Sequence, residues 1–163
     1  MTIFLSGFMG CGKTTVGIIL AEKLGYEYLD SDELIVEQEG MTIPEIFAEK
    51  GEPYFRKVEA EIIKSLCGRE AVVACGGGAM LNDGTADFAK NSGKVVYLDV
   101  PFNICYERIC GDTNRPIVMS STKDELYERY KNRKPVYIKN STVQVRCTSS
   151  PTECAKEIME SLC

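Results

Sequence analysis

The sequence predicts a three-layer α/β domain built on a largely parallel sheet. Two observations carry this reading. Short β-prone runs alternate with helical patterns along the 163 residues, the order that lays helices over both faces of a parallel sheet. Two of the runs, Ala71-Val72-Val73-Ala74-Cys75 and Val95-Val96-Tyr97-Leu98, are apolar throughout, as strands covered on both faces must be. Composition agrees, with 44% hydrophobic and 26% charged residues, ordinary values for a globular chain. Residues 1–163 are expected to form one domain.

The elements follow in order. Thr2-Ile3-Phe4-Leu5 reads as a strand that ends at Ser6-Gly7. A helix is predicted over 13–24, with Val16, Ile19, Leu20 and Leu24 on one face and Gly25 as its stop. Tyr26–Leu29 reads as a second strand ending in Asp30. Thr42-Ile43-Pro44-Glu45 is a capping box for a helix to about Lys50. Gly51-Glu52-Pro53 breaks it, and a helix is predicted over 54–66. The two apolar strands come next, the second followed by Pro101, which can start a helix to about Ile109. Gly111–Ser121 is polar and irregular, 124–133 reads as a helix, and Val143–Cys147 is a last strand. Ser150-Pro151-Thr152-Glu153 opens a final helix. Ligands of such sheets sit beyond the carboxyl ends of the strands. Those ends carry Ser6-Gly7, Asp30, Gly76–Gly78 and Asp99.

Charge and cysteine content exclude several classes. The net charge of −5 argues against nucleic-acid binding, which needs a basic field. No apolar run is long enough to span a membrane, and no basic, apolar, cleavable leader opens the chain, so a cytoplasmic protein is expected. Eight cysteines without a CxxC pair, and no histidine, speak against zinc. Free, mostly buried thiols are expected instead. Without histidine, acid–base work falls to Asp, Glu or Lys.

Gly7-Phe8-Met9-Gly10-Cys11-Gly12-Lys13-Thr14 matches the phosphate-loop signature G-x-x-x-x-G-K-[ST]. Glycines let successive N–H groups turn toward phosphate oxygens, and the helix that opens at Lys13 adds its N-terminal dipole. The Lys13 ammonium can reach the β- and γ-phosphates, and the Thr14 hydroxyl can ligate Mg²⁺. A chance match in a chain of this length is on the order of half a per cent, and this one lies between a predicted strand and a predicted helix. ATP contacts are therefore expected from Gly10, Cys11, Gly12, Lys13, Thr14 and Thr15.

Asp30 and Asp32 lie two apart. On an extended segment they would face one side, one serving Mg²⁺ and the other a substrate hydroxyl; solvated charges or a helix N-cap are the plainer alternatives. Arg56 and Glu59 share a helix face, as an anion site or an ordinary ion pair. Arg115 stands in the irregular stretch, as an arginine finger or a solvated loop residue. Arg133 closes a predicted helix before Lys134-Pro135-Val136-Tyr137, where a cation also suits the dipole. Spacing alone does not rank these arginines.

Taken together, Asp30-Ser31-Asp32, Phe55-Arg56-Lys57-Val58-Glu59, Gly76-Gly77-Gly78, Asn114-Arg115-Pro116 and Arg133-Lys134-Pro135-Val136-Tyr137, behind the short phosphate loop, resemble the shikimate kinases over nearly the whole chain. The resemblance implies a P-loop kinase fold of the nucleoside-monophosphate-kinase type. That fold has a five-stranded parallel sheet, helices on both faces, a short flexible lid at about 111–121 and a substrate-binding subdomain at about 31–60. It implies ATP and shikimate as substrates, Mg²⁺ at Thr14 and Asp30, and a monomeric cytoplasmic enzyme that phosphorylates the 3-hydroxyl of shikimate. It places shikimate on Asp32, Arg56, Gly77, Gly78 and Arg133, and ATP on Arg115 and Arg108. Lys13, Asp32 and Arg115 are implied to be catalytic. An adenine-side arginine that some members carry near the last strand has no counterpart in Cys147–Pro151, which predicts looser nucleotide selectivity. A gluconate-type kinase is the alternative; nucleotide kinases need a second nucleotide site and usually more lid arginines. A non-catalytic regulator could dispense with Asp30 or Asp32, and the chain keeps both.

Overall fold

The computed structural model describes residues 1–110 and 121–163; the expected lid, apart from Ser121, and Arg115 lie outside the described residues. Five strands form one parallel sheet: β1 (Thr2–Ser6), β2 (Glu27–Asp30), β3 (Ala71–Ala74), β4 (Gly93–Asp99) and β5 (Val143–Arg146). Their order is β2-β3-β1-β4-β5. β1 is the centre, with Phe4 opposite Val73 on one side and Val95 on the other. Residues of alternating parity feed two cores. Ile3, Leu5, Val72 and Val96 point one way, and Phe4, Val73 and Val95 the other, so the wholly apolar runs are strands buried on both faces.

Helices α1 (Lys13–Leu24), α2 (Ser31–Glu39), α3 (Ile43–Lys50), α4 (Glu52–Leu66), α5 (Asp83–Ser92), α6 (Phe102–Ile109), α7 (Lys123–Lys139) and α8 (Pro151–Leu162), with a 3₁₀ turn at Ala79–Leu81, complete the elements of the described residues. α1 ends, as expected, at a left-handed Gly25 (φ 67°), and α3 carries the full Thr42–Glu45 capping box. α2 and α5 have no counterpart in the sequence reading. α2 begins directly where β2 stops, so Ser31 and Asp32 are helical rather than extended.

Two further expectations are corrected. α7 does not stop at Arg133 but continues through Pro135 to Lys139. An interior proline costs roughly 3 kcal/mol, and the turn beyond it is tied down from several sides. Tyr137 stacks on Tyr97 with ring centroids 5.4 Å apart. The Asn140 amide, at the helix end, donates to Met80 O at 2.9 Å and to Asp83 at 3.0 Å. The cysteines are not all free either: Cys147 and Cys154 form a disulfide, their Cα atoms 5.3 Å apart. The turn capped by Ser150 folds the first turn of α8 back against the end of β5, a proximity that no CxxC spacing announces. Cys11, Cys75 and Cys105 are free and buried as expected, Cys67 is half-buried, and Cys110 and Cys163 are exposed.

Candidate active site

The phosphate loop leaves the central strand at its carboxyl end and is bolted to the core by Phe8. That ring is 1% exposed and meets Tyr130 and Phe102 edge-on, at 5.3 and 6.4 Å. Gly10 (φ 74°) is where the loop touches α6 most closely: a Cβ there would stand 2.7 Å from the Cys105 carbonyl. Gly12 (φ 96°) caps α1 in the left-handed region, which only glycine adopts cheaply. The Lys13 ammonium lies folded on its own loop, donating to Gly7 O at 2.7 Å and Phe8 O at 3.1 Å, with Cys11 Sγ at 3.6 Å. Thr14 and Thr15 are exposed at the start of α1.

A cavity of about 300 Å³ opens above the strand ends. Lys13, Thr14, Thr15, Asp30, Asp32, Gly76, Gly77 and Arg108 are among its lining residues. The two carboxylates therefore share one cavity, although not for the expected reason. Asp30 is the N-cap of α2, its Oδ1 accepting from the N–H groups of Asp32 (2.9 Å) and Glu33 (3.2 Å), the plainer alternative given above. Asp32 sits in the first turn of the helix. A hydroxyl and two carboxylates are hard oxygen donors, the set Mg²⁺ prefers, so the residues present fit that ion.

Each glycine of the triplet makes room for one functional side chain. A Cβ on Gly76 would stand 2.6 Å from Asp32 Oδ1, one on Gly77 would stand 3.3 Å from Arg133 Nη1, and one on Gly78 would collide with the Arg56 guanidinium. Residues from α2, α4 and α7 thus converge on one backbone floor at the end of β3. Arg56 is held from behind by Glu59, at 2.8 Å, and by Glu52, at 3.5 Å. Glu59 is 3% exposed; burial raises its carboxyl above the ordinary value, against the pull of Arg56. Burial also drives the Cys75 thiol under the cavity far upward and that of Cys105 up to about 12, so both stay protonated.

The sequence reading missed three supports. Ser31, fully buried, accepts the Gly76 N–H at 3.0 Å and ties the end of β2 to the triplet. Gly76 was passed over in favour of its two neighbours. The Tyr137 hydroxyl donates to the Gly77 carbonyl at 2.6 Å. Only the last had a signal, an aromatic residue placed one helical turn after Arg133.

Beside the phosphate loop a second cavity, of about 180 Å³, is lined by Gly12, Thr15, Arg108, Ser149, Pro151 and the Cys147–Cys154 pair, among others. Arg108 reaches across it to donate to Gly10 O at 3.1 Å and is the one cation among its lining residues. Arg115 lies outside the described residues, so its place relative to either cavity is not part of the geometry.

Comparison with known proteins decides the family. The family model for shikimate kinase matches residues 9–163. The chain belongs to the shikimate kinase family. Shikimate kinase from Aquifex aeolicus is 39% identical over 163 residues, which cover 99% of this chain and 96% of that one. The shikimate kinase of Persephonella marina is 39% identical, covering 96% of each. Among solved structures, shikimate kinase from Acinetobacter baumannii in complex with shikimate superposes with a TM-score of 0.92 at 36% identity, covering 99% of this chain and 92% of that one. A gluconokinase from Sinorhizobium meliloti shares the fold at a TM-score of 0.60 and 19% identity, covering 99% of this chain and 90% of that one. Shikimate kinases are P-loop phosphotransferases that use ATP with Mg²⁺, and as a member of the family this chain is such an enzyme.

Proposed function

We propose that this enzyme transfers the γ-phosphoryl group of ATP to the 3-hydroxyl of shikimate, giving shikimate 3-phosphate and ADP, as a monomer in the cytoplasm. The observation that carries the reading is the convergence of Arg56, Arg133 and Asp32 on the Gly76–Gly78 floor, of which Asp32, Gly76 and Gly77 line one cavity with the phosphate loop. Shikimate is a carboxylate with three hydroxyls. A guanidinium fork suits the carboxylate, and a carboxylate suits a hydroxyl. No helix among the described residues is long and apolar enough to cross a membrane.

In this reading the N–H groups of Gly10–Thr15 and the Lys13 ammonium hold the phosphates, Lys13 leaving the carbonyls of Gly7 and Phe8 to do so. Thr14 and Asp30 would hold Mg²⁺, which neutralises charge on the phosphates when bound. Arg56 and Arg133 take the acceptor carboxylate, with Gly77 and Gly78 beneath the ring and residues 31–60 as the acceptor subdomain. Asp32 orients the attacking hydroxyl and accepts its proton; with a loose transition state, orientation is the larger part of that task. Arg108 flanks the adenine. Arg115 is assigned to ATP by resemblance alone.

A coupled assay of ADP release with shikimate, quinate, gluconate and AMP tests the acceptor. Turnover is expected with shikimate and Mg·ATP. Equal or faster turnover with gluconate or AMP would overturn the assignment.

A further inference from the structure

We infer that Tyr137 is a positioning residue for the acceptor: its hydroxyl links Arg133 to the Gly77 carbonyl and presets the guanidinium for the substrate carboxylate. The inference rests on the reading of Arg133 as a ligand of that carboxylate.

Tyr137 is 2% exposed, and its hydroxyl donates to Gly77 O at 2.6 Å, across 60 residues of sequence. Its ring is clamped against Tyr97, the two planes 22° apart, and Tyr97 is itself 1% exposed. The ring therefore has no room to swing. Arg133 lies four residues earlier on α7, on the same helix face, and its positive charge acts on the Tyr137 hydroxyl against the effect of burial. Its Nη1 is 3.3 Å from where a Gly77 Cβ would stand, and the Tyr137 oxygen is 3.8 Å from the same point.

A tyrosine hydroxyl has one proton and two lone pairs. Here the proton is committed to a carbonyl, which leaves lone pairs for an arginine N–H. Burial raises the Tyr137 hydroxyl above the usual phenol range, so it stays a donor at neutral pH. An arginine that spends one of its five donors on a fixed oxygen gives up side-chain freedom before the substrate arrives, and that entropy is then not lost on binding. Glu59 and Glu52 do the same for Arg56 from the other side.

Tyr137→Phe keeps the ring stack and removes the hydroxyl. Loss of one such hydrogen bond should raise the shikimate KM and dissociation constant about tenfold, with kcat and ATP affinity within about twofold of wild type. Because Tyr137 acts through Arg133, its effect should largely vanish in an Arg133→Lys background. Unchanged shikimate affinity in Tyr137→Phe, full additivity with Arg133→Lys, or parallel weakening of ATP and shikimate would each overturn the inference. If Arg133→Lys alone leaves shikimate binding intact, the carboxylate assignment fails first and takes the inference with it. A measurement on the wild-type enzyme stands apart from the folding of any variant. The Arg133 Nε–H resonance, identified by its loss in Arg133→Lys, should be sharp and slow to exchange before shikimate is added. A broad, rapidly exchanging Nε–H would overturn the inference.

Discussion

Asp30 and Asp32 are the same residue type two positions apart, and the fold separates their tasks. Asp30 caps a helix through one oxygen, whereas Asp32 lies over Gly76. Asparagine caps a helix about as well as aspartate, so Asp30→Asn should fold normally and need more Mg²⁺ for half-maximal rate, with partial rescue by excess metal. Asp32→Asn should lower kcat by at least ~10²-fold, in line with losing a preorganised group, with Mg·ATP binding nearly intact. A Mg²⁺ titration of both variants checks this; rescue of Asp32→Asn by metal would mean the roles are exchanged. Glu59 gives a pH-dependent case. Its folded-state carboxyl is raised by burial, so the native state holds its proton to higher pH than the unfolded chain does. Its contribution to stability is largest below the ordinary glutamate value and is lost as pH rises through the raised one. Glu59→Gln should remove that decline, flattening the fall in melting temperature over the same range, while weakening shikimate binding because Arg56 loses its charged support. A variant whose melting temperature keeps the wild-type slope would refute this origin. The phosphate loop was legible because its chemistry is contiguous. Ser31 was not, because its partner lies 45 residues away, and the aromatic signal at Tyr137 did not reveal a partner 60 residues away.

At the scale of elements, the strand–helix alternation was readable and the junctions were less so. α2 was hidden because Asp30, Ser31 and Asp32 look like a strand end running into a loop, when one carboxylate is stopping a strand and starting a helix. α7 was cut short because a proline normally ends a helix, and nothing local reveals that Tyr97 and Met80 hold the turn beyond it. The Cys147–Cys154 bridge joins β5 to α8, seven residues apart. Closing a loop that short removes about 2 kcal/mol of unfolded-state entropy. Reduction, or a Cys147→Ser and Cys154→Ser double variant, should lower the melting temperature by about 4–8 °C. An unchanged midpoint with and without reductant, with thiol titration confirming the bridge in the untreated sample, would show that the bridge adds no stability.

At the scale of the molecule, the strand order β2-β3-β1-β4-β5 brings the ends of β1, β2 and β3 side by side, and with them the loop, the carboxylates and the glycines. Alternation predicts parallel strands whose carboxyl ends carry the loop, the carboxylates and the glycines, but not the order of those strands. Two cores share the sheet, so ligands at its edge should stabilise the whole. At about 100 times its dissociation constant a ligand adds about 2.7 kcal/mol, which predicts a rise of about 5–10 °C for shikimate or Mg·ATP alone. Scanning calorimetry with each acceptor checks this, and stabilisation by gluconate in place of shikimate would contradict the acceptor assignment.

The glycine floor has a consequence for redesign. Three consecutive positions, Gly76, Gly77 and Gly78, are each close under a different guanidinium or carboxylate, so even a methyl group there displaces a working side chain instead of reshaping the pocket. A library aimed at new acceptors would waste its diversity on those codons. The walls are where the enzyme can be taught a different alcohol: α4 and α7 each deliver one reaching guanidinium, Arg56 and Arg133, and their lengths and charges can change while Asp32 is kept and the floor stays bare.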